Sequence, residues 1–339
     1  MRVLITGANG FLGRHVVRTA AERGHHVRAL VRSSANVPRW PAGVETVVGD
    51  LRRRDLSSLV VDIDAVIHLA ASVRGDDETQ FINTVVATEN LLEAVRLAGI
   101  NRFVLCSSFA VYDWRRASDL LDEETPLESE LYARDGYAIA KSWQEKLVRR
   151  YAAQHGWQLT VLRPGFLWGP ENPWIAGIGH SFGKWHVVIG GGRDLPIAYV
   201  ANCAECIAIA VGHPAAHGET FNVVDEERVT AWRYVGQILR STGTAGRRIY
   251  VPYWFGLALA NVASWVGRLV FGPSAKLPGL LVPIRYRARF RPLRFTSQKA
   301  QTRLGWRPRW SFADAWQRAA EPATNSEPDR SSPKEAAID

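Results

Sequence analysis

Near its start the chain carries the apolar run Val3-Leu4-Ile5 and then Thr6-Gly7-Ala8-Asn9-Gly10-Phe11-Leu12-Gly13, a turn with glycine at every third position. An amphipathic stretch over 11–23 follows. A strand that enters a helix through such a turn must bend sharply, let its backbone approach a ligand, and aim free helix N–H groups at it. Those N–H groups favour an anion, and the flanking strand and helix are the context that gives the glycines meaning. The segment reads as a pyrophosphate cradle and commits the start of the chain to a strand–helix–strand unit.

The alternation continues. Residues 27–31, 45–48, 65–69, 103–107 and 160–162 read as short apolar strands, with helical periodicity over 81–98 and 137–155 between them. Alternation of this kind predicts an α/β fold: a doubly wound parallel (Rossmann) sheet covered by helices on both faces. The dinucleotide-binding domain is expected over 1–163, with later strands near 195–225 returning to it. A smaller substrate lobe is expected mainly over 164–320, including a short helix over 204–211. The Pro/Ser/Glu-rich segment 321–339 is expected to be disordered.

Three cysteines make no disulfide framework and point to a reducing compartment. Cys203-x-x-Cys206 has no second pair in the chain, so it reads as a buried pair on a helix, and no metal is expected. The first strand starts at Arg2 with no leader ahead of it, which predicts a cytoplasmic protein, with membrane association left open.

The formal charge of +9 is unevenly placed: residues 228–313 hold sixteen Lys and Arg and no Asp or Glu. That half either presents a solvated basic face or meets an anion, a substrate phosphate or an anionic membrane surface. No nucleic-acid-binding motif accompanies the charge, so nucleic acid is not expected as a partner. Within it, the nineteen residues 249–267 carry no charge and include Trp254, Phe255 and Trp265. That is marginal for a bilayer span. Two readings of 250–272 stay open: a helix lying in the membrane interface, with the basic region 285–309 beside it, or a hydrophobic helix packed on the substrate lobe.

Tyr137-Ala138-Ile139-Ala140-Lys141 places a phenol and an ammonium four residues apart, on one face of a helix. A phenol ordinarily ionises near pH ~10, and a neighbouring cation favours the phenolate, bringing it toward use as an acid/base. Tyr132 has Gly136 at the fourth position and fails this test; Tyr112 has Arg116 there but sits at a strand exit. Ser107 and Ser108 end the strand 103–107, and in an open α/β sheet ligands bind beyond the carboxyl ends of strands.

Taken in order, these motifs resemble the extended branch of the short-chain dehydrogenase/reductase superfamily, the NAD-dependent epimerase/dehydratase family. The resemblance covers residues 3 to about 225 and rests on TGxxGxxG, YxxxK, the Ser107-Ser108-x-x-Val111-Tyr112 pattern and Arg163-Pro164 … Gly169-Pro170. It implies a catalytic set of Ser108, Tyr137 and Lys141, with Ser107 as the fallback hydroxyl and Lys141 also bonding the nicotinamide ribose. It implies a cofactor held by Gly7, Asn9, Gly10, Phe11, Leu12 and Gly13. Asp50-Leu51, Leu69-Ala70-Ala71, Asn83, Ser107, Tyr137, Lys141 and Pro164 complete the implied cofactor site. NAD-preferring sites carry an acid about twenty residues past the glycine turn. Here Val31-Arg32-Ser33-Ser34 has none, so Arg32, with Arg28 or Ser33 assisting, points to NADP, NAD remaining the alternative.

Phe166, Trp168, Trp174, Ile175, Phe182 and Trp185 cluster after the nicotinamide segment and suggest an apolar or flat small-molecule substrate. Tyr199-Val200-Ala201-Asn202 resembles the 3β-hydroxysteroid dehydrogenase and dihydroflavonol reductase branches, though Ala201 departs from the acid common there. The expected activity is hydride transfer between a nicotinamide and a secondary alcohol or ketone. The alternative is a sugar-nucleotide epimerase that retains NAD. A homodimer is compatible with either.

Overall fold

The computed structural model describes residues 1–35, 37–243, 246–272 and 277–320; the tail expected to be disordered lies outside them. Seven strands form one parallel sheet: β1 (Arg2–Thr6), β2 (His26–Val31), β3 (Val44–Val48), β4 (Ala65–His68), β5 (Arg102–Cys106), β7 (Gln158–Pro164) and β12 (Thr220–Val223). Leu120–Leu121 is the short strand β6. The order across the sheet is β12-β7-β5-β4-β1-β2-β3, so the chain winds outward from β1 in both directions.

The alternation of side chains along each strand builds two cores. Val3 and Ile5, Ala29 and Val31, and Val104 enter the core shared with α1 (Phe11–Glu22) and α5 (Val200–Ala210). Leu4, Leu30, Phe103 and Leu105 point the other way, against α3 (Ala87–Leu97) and α4 (Gly136–His155). Because a strand repeats every two residues, apolar residues at successive positions serve both faces, as a sheet covered on both sides requires.

One expected helix is broken. The stretch 81–98 becomes α2 (Asp77–Phe81), a π-helical turn over Ile82–Val86, and α3. Side-chain hydroxyls intrude there: Thr84 Oγ1 accepts from Ser72 N at 3.0 Å, and Thr88 Oγ1 donates to the Thr84 carbonyl at 2.5 Å.

The remaining strands build the lobe above the sheet. β8 (Phe166–Trp168) pairs with β11 (Ile197–Tyr199), while β9 (Gly179–Phe182), β10 (Trp185–Ile189) and β13 (Arg247–Val251) form a three-stranded sheet. Thus 220–223 joins the main sheet and 197–199 does not. Helices α6 (Ala231–Ser241), α7 (Tyr253–Phe271) and α8 (Pro283–Phe290) follow, and β14 (Arg294–Phe295) returns to pair with β6. α9 (Gln298–Leu304) and α10 (Phe312–Ala320) close the described residues, with Phe312 and Trp316 packed on Trp168.

No helix among the described residues is long and apolar enough to cross a membrane. Cys203 and Cys206 are buried on α5, their thiols pushed up by burial, and no group of three metal-ligating side chains occurs among the described residues.

Candidate active site

The turn between β1 and α1 is built to be filled. Gly7 adopts φ +69°, a left-handed conformation that glycine takes without strain, and a Cβ on it would lie 3.0 Å from the Ala70 backbone nitrogen. A Cβ on Gly13 would run into the Gly7 carbonyl oxygen, so the turn closes this tightly only without side chains. Gly10 is the N-cap of α1 and no side chain caps that end, so the first turn keeps donors for an anionic ligand. The cradle therefore fits a dinucleotide pyrophosphate. Asn9, Phe11, Leu12, Leu69, Ala70 and Ala71 surround the same carboxyl ends of β1 and β4.

Farther along the cradle, Leu51 is tied down by Asn90 Nδ2, which donates to its carbonyl at 2.9 Å. Asp50 is clasped by Arg52, whose Nη2 lies 2.6 Å from Oδ2, and this bond holds the Asp50 carboxyl below its usual range. Sequence reasoning passed over Arg52. Arg32 is exposed, makes no hydrogen bond or ion pair among the described residues, and lies close enough for its charge to reach Asp50. Arg28 does not assist it. Its Nε donates to Glu45 Oε2 at 3.0 Å and its Nη1 to the Leu59 and Val61 carbonyls, so the guanidinium is committed within the fold. Ser33 Oγ accepts from Ala35 N. Asn83 sits half-buried in the π-helical turn, and Pro164 ends β7 at the same edge of the sheet.

The three candidate catalytic side chains come from two elements. Ser108 caps the turn that follows β5, its Oγ accepting from Ala110 N at 3.1 Å. Tyr137 and Lys141 project from the first turns of α4. Asp135 caps that helix by accepting from Ala138 N at 3.0 Å, and Arg289 of α8 donates to the same carboxylate at 3.2 Å. The Ser108 hydroxyl lies close enough to the Tyr137 phenol to favour its ionisation. Ser107 turns elsewhere: its Oγ donates to Glu145 Oε2 at 2.6 Å, in the core. Ser108 is the hydroxyl left beside Tyr137.

The phenol itself departs from expectation. Burial pushes Tyr137 up to about 12, and the Asp135 charge adds to the rise. Lys141 Nζ spends bonds on the Cys106 carbonyl at 2.7 Å and on Gln144 Oε1 at 2.8 Å, and burial lowers the lysine. Desolvation by burial thus decides the direction of the phenol's shift in the protein by itself. Tyr112, the discarded rival, is buried with its hydroxyl donated to Asn222 Oδ1 at 2.7 Å.

Sequence reasoning also missed the support beneath the pair. Glu145, buried and held down at about 2, is bound by the Arg163 guanidinium and by Arg149 Nε at 2.9 Å. Burial alone would raise this carboxyl; the Arg163 bond and charge reverse the sign. The one signal available was spacing, since Glu145 lies four residues after Lys141 on the same helix face.

The aromatic cluster divides. Trp168 is fully buried among Tyr199, Tyr234, Phe312 and Trp316, so it belongs to the core rather than to a pocket. Ile175 is buried as well. Trp174 is exposed and stacks on His186, while Phe182 and Trp185 are exposed on the β9–β10 hairpin.

Residues 3–223 match the NAD dependent epimerase/dehydratase family. The chain is 30% identical over 316 residues to the 4-hydroxy-2-methyl-3-oxo-4-farnesyl-3,4-dihydroquinoline-1-oxide ketoreductase of Stigmatella aurantiaca, covering 90% of this chain and 92% of that one. It is 29% identical over 332 residues to the 3 beta-hydroxysteroid dehydrogenase/Delta 5-->4-isomerase of Mycobacterium tuberculosis, covering 93% and 88%. A UDP-glucuronic acid 4-epimerase from Bacillus cereus, solved with UDP-glucuronic acid and NAD, shares the fold. Its TM-score is 0.69 at 21% identity, covering 94% of this chain and 97% of that one. A family match of this extent, on a sheet wound in this order, makes the chain a member of the NAD dependent epimerase/dehydratase family: an NAD(P)-dependent oxidoreductase of the extended short-chain dehydrogenase/reductase type.

Proposed function

We propose that the protein interconverts a secondary alcohol and a ketone on an apolar, polycyclic or lipid-like small molecule, with NADP as its preferred cofactor. The observation that carries this reading is Ser108 beside Tyr137, with Lys141 one turn along α4, at the mouth of the Gly7–Gly13 cradle. When bound, the nicotinamide supplies the hydride acceptor or donor and, when oxidised, a positive charge. Tyr137 takes the proton from the substrate hydroxyl during oxidation and returns it during reduction. Ser108 holds the same oxygen by a hydrogen bond, and Lys141 binds the ribose hydroxyls and stabilises the phenolate. The substrate class rests on the half-buried or exposed Phe166, Trp174, Phe182 and Trp185, and on the relatives' names.

The test is to denature freshly purified protein and identify any released nucleotide by mass spectrometry. An empty site that later binds NADPH reversibly is expected, because a reductase exchanges its cofactor at every turnover. Stoichiometric NAD(H) would instead mean the alternative, an epimerase that retains its cofactor through a closed redox cycle. Arg32, exposed and without a partner among the described residues, supports NADP by offering a guanidinium to the 2′-phosphate. Arg32→Asp should therefore weaken NADPH about tenfold or more while sparing NADH. An unchanged preference between NADPH and NADH in the variant would remove Arg32 from that role.

α7 supports a further partner, an anionic membrane surface. Its inward face starts with Tyr253 and Leu257, packed on the cluster of Ile189, Tyr286 and Phe290, and is otherwise small: Gly256 abuts the Tyr286 hydroxyl, and Ala260 and Gly267 are buried. Most of its large apolar side chains point out, with Trp254 69% and Trp265 65% exposed, alongside Phe255, Leu259, Val262 and Val270. This inverts the usual amphipathic pattern of a surface helix. Exposed Arg268 and Arg247, and the absence of any acid over 228–313, suit an anionic lipid. The arginines of α8 contribute less than their number suggests. Arg285 donates to the Ala133 and Arg134 carbonyls, and Arg289 to Asp135. Flotation with anionic vesicles should capture the protein but not Trp254→Glu/Trp265→Glu. A concentration-dependent dimer that the double variant dissolves, without vesicle binding, would assign the face to a second copy instead.

A further inference from the structure

Lys141 is buried, yet no free carboxylate meets its ammonium. The acid whose charge reaches it, Glu145, is already bound by Arg163, Arg149 and Ser107. What touches Nζ is neutral: the Cys106 carbonyl and the side-chain oxygen of Gln144. Gln144 is itself fully buried, and its amide is not free to turn. Nε2 donates to the Ala70 carbonyl at 3.2 Å and to Thr88 Oγ1 at 2.9 Å and lies 3.1 Å from His68 Nε2; the Ala70 carbonyl needs a donor and the Lys141 ammonium an acceptor, which leaves Oε1 facing Lys141.

The orientation is fixed further back. Thr88 gives its hydroxyl proton to the Thr84 carbonyl, so its oxygen is an acceptor toward both Gln144 and His68 Nε2, the latter at 2.8 Å. His68 Nδ1 then accepts from Thr6 Oγ1 at 2.7 Å. Thr6 Oγ1 in turn accepts the Leu69 and Ala70 backbone N–H groups, at 3.2 and 3.3 Å. Burial and the Lys141 charge hold His68 down at about 3, so it stays neutral wherever the enzyme works. Nothing in the chain from Thr6 to Gln144 changes protonation and reverses a bond.

We infer that Gln144 is the positioning residue of Lys141: its side-chain oxygen keeps the buried ammonium charged and aimed, and its amide ties that ammonium to Ala70 on the rim of the dinucleotide cradle. Ala70 is the residue that a Cβ on Gly7 would meet first, so one side chain links the nucleotide turn to the acid/base pair. A hydrogen bond from a charged donor to a buried neutral acceptor supports the charged state strongly, because in this setting no water replaces a lost partner. The groups that bear on the pair are Glu145 on α4 itself, Cys106 on β5, His68 on β4, and Asp135 with Arg289 at the head of α4. None of these except Cys106, through its carbonyl, bonds Nζ in place of Gln144.

The inference rests on the proposed roles of Tyr137 and Lys141, and its test separates the two. In the protein with NADP⁺ bound, tyrosinate is followed by ultraviolet difference absorbance against pH, and the component missing from Tyr137→Phe is assigned to Tyr137. In Gln144→Met, which keeps the volume but offers no strong acceptor, that component should move up by about one to two pH units, and NADPH affinity should fall about ten- to a hundredfold. Thr88→Val, which keeps Oε1 but frees the amide, should move both in the same direction by less. A lowered melting temperature with an unmoved Tyr137 midpoint and unmoved affinity would make Gln144 a packing residue and overturn the inference. Should Gln144→Met fail to fold, Thr88→Val decides alone, and no change in either readout overturns it. If instead Tyr137→Phe removes no titrating component, the acid/base assignment fails, not the role of Gln144.

Discussion

Tyr137→Phe should abolish turnover while leaving nucleotide binding nearly intact. The variant removes one oxygen from a half-buried ring, and among the described residues no other proton-transfer group is placed beside it: Ser108 is an alcohol and Lys141 is turned to Cys106 and Gln144. Loss of a positioned acid/base costs about a hundred- to ten-thousandfold. The fall should be in kcat rather than in nucleotide affinity, because the cradle of Gly7, Gly10 and Gly13 is untouched. The wild type should carry the matching pH signature. With the phenol held at about 12 by burial, oxidation should speed up as pH rises, because the phenolate is the competent base. Ketone reduction uses the protonated phenol and should lack that rise. Measuring kcat in both directions across pH checks this; full activity in Tyr137→Phe would end the mechanism.

Arg163→Met should cost about 3–5 kcal/mol of stability, since it strands Glu145 as a buried charge without its main partner. Arg163 and Glu145 are 4% and 1% exposed at their side chains, so little solvent screens the pair. The pH dependence follows from the direction of the shift. Glu145 is depressed from 4.5 to about 2 in the fold, so its contribution is fully present above pH 4.5 and lost as pH falls toward 2. In Arg163→Met that contribution is already gone, and the gap between variant and wild type should narrow as the solution is acidified below pH 4.5. Urea denaturation of both proteins at neutral pH and near pH 4 would read this. A deficit that is constant with pH would place the loss in packing rather than in the ion pair. Glu145→Leu combined with Arg163→Met should recover much of the stability, because the pair is then removed together.

Much of this was legible in the chain. The strand–turn–helix at 3–23, the strand periodicity, and the four-residue spacing of Tyr137 and Lys141 are local signals, written within a few residues of one another. Local spacing fixes which face of a helix a side chain takes and which backbone conformations a glycine turn must adopt. The fold class therefore followed from sequence, as did the placement of Tyr137 and Lys141 on one helix and of the three glycines in the β1–α1 turn. The partners of those groups did not. That Ser107 would turn to Glu145, that Arg28 would be absorbed by Glu45 and two carbonyls, and that Trp168 would vanish into an aromatic core depend on contacts between distant segments. The same holds for the Tyr137 phenol, whose rise reflects desolvation by packed neighbours, and for the inverted face of α7, where periodicity gave the helix but not which side the protein would cover. Sequence by itself determined the sheet, the glycine turn and the shared helix face of Tyr137 and Lys141, because these are short-range patterns. Only the tertiary structure decided which polar groups were spent holding the fold and which were left for chemistry, because burial and hydrogen-bond partnership are properties of the assembled chain.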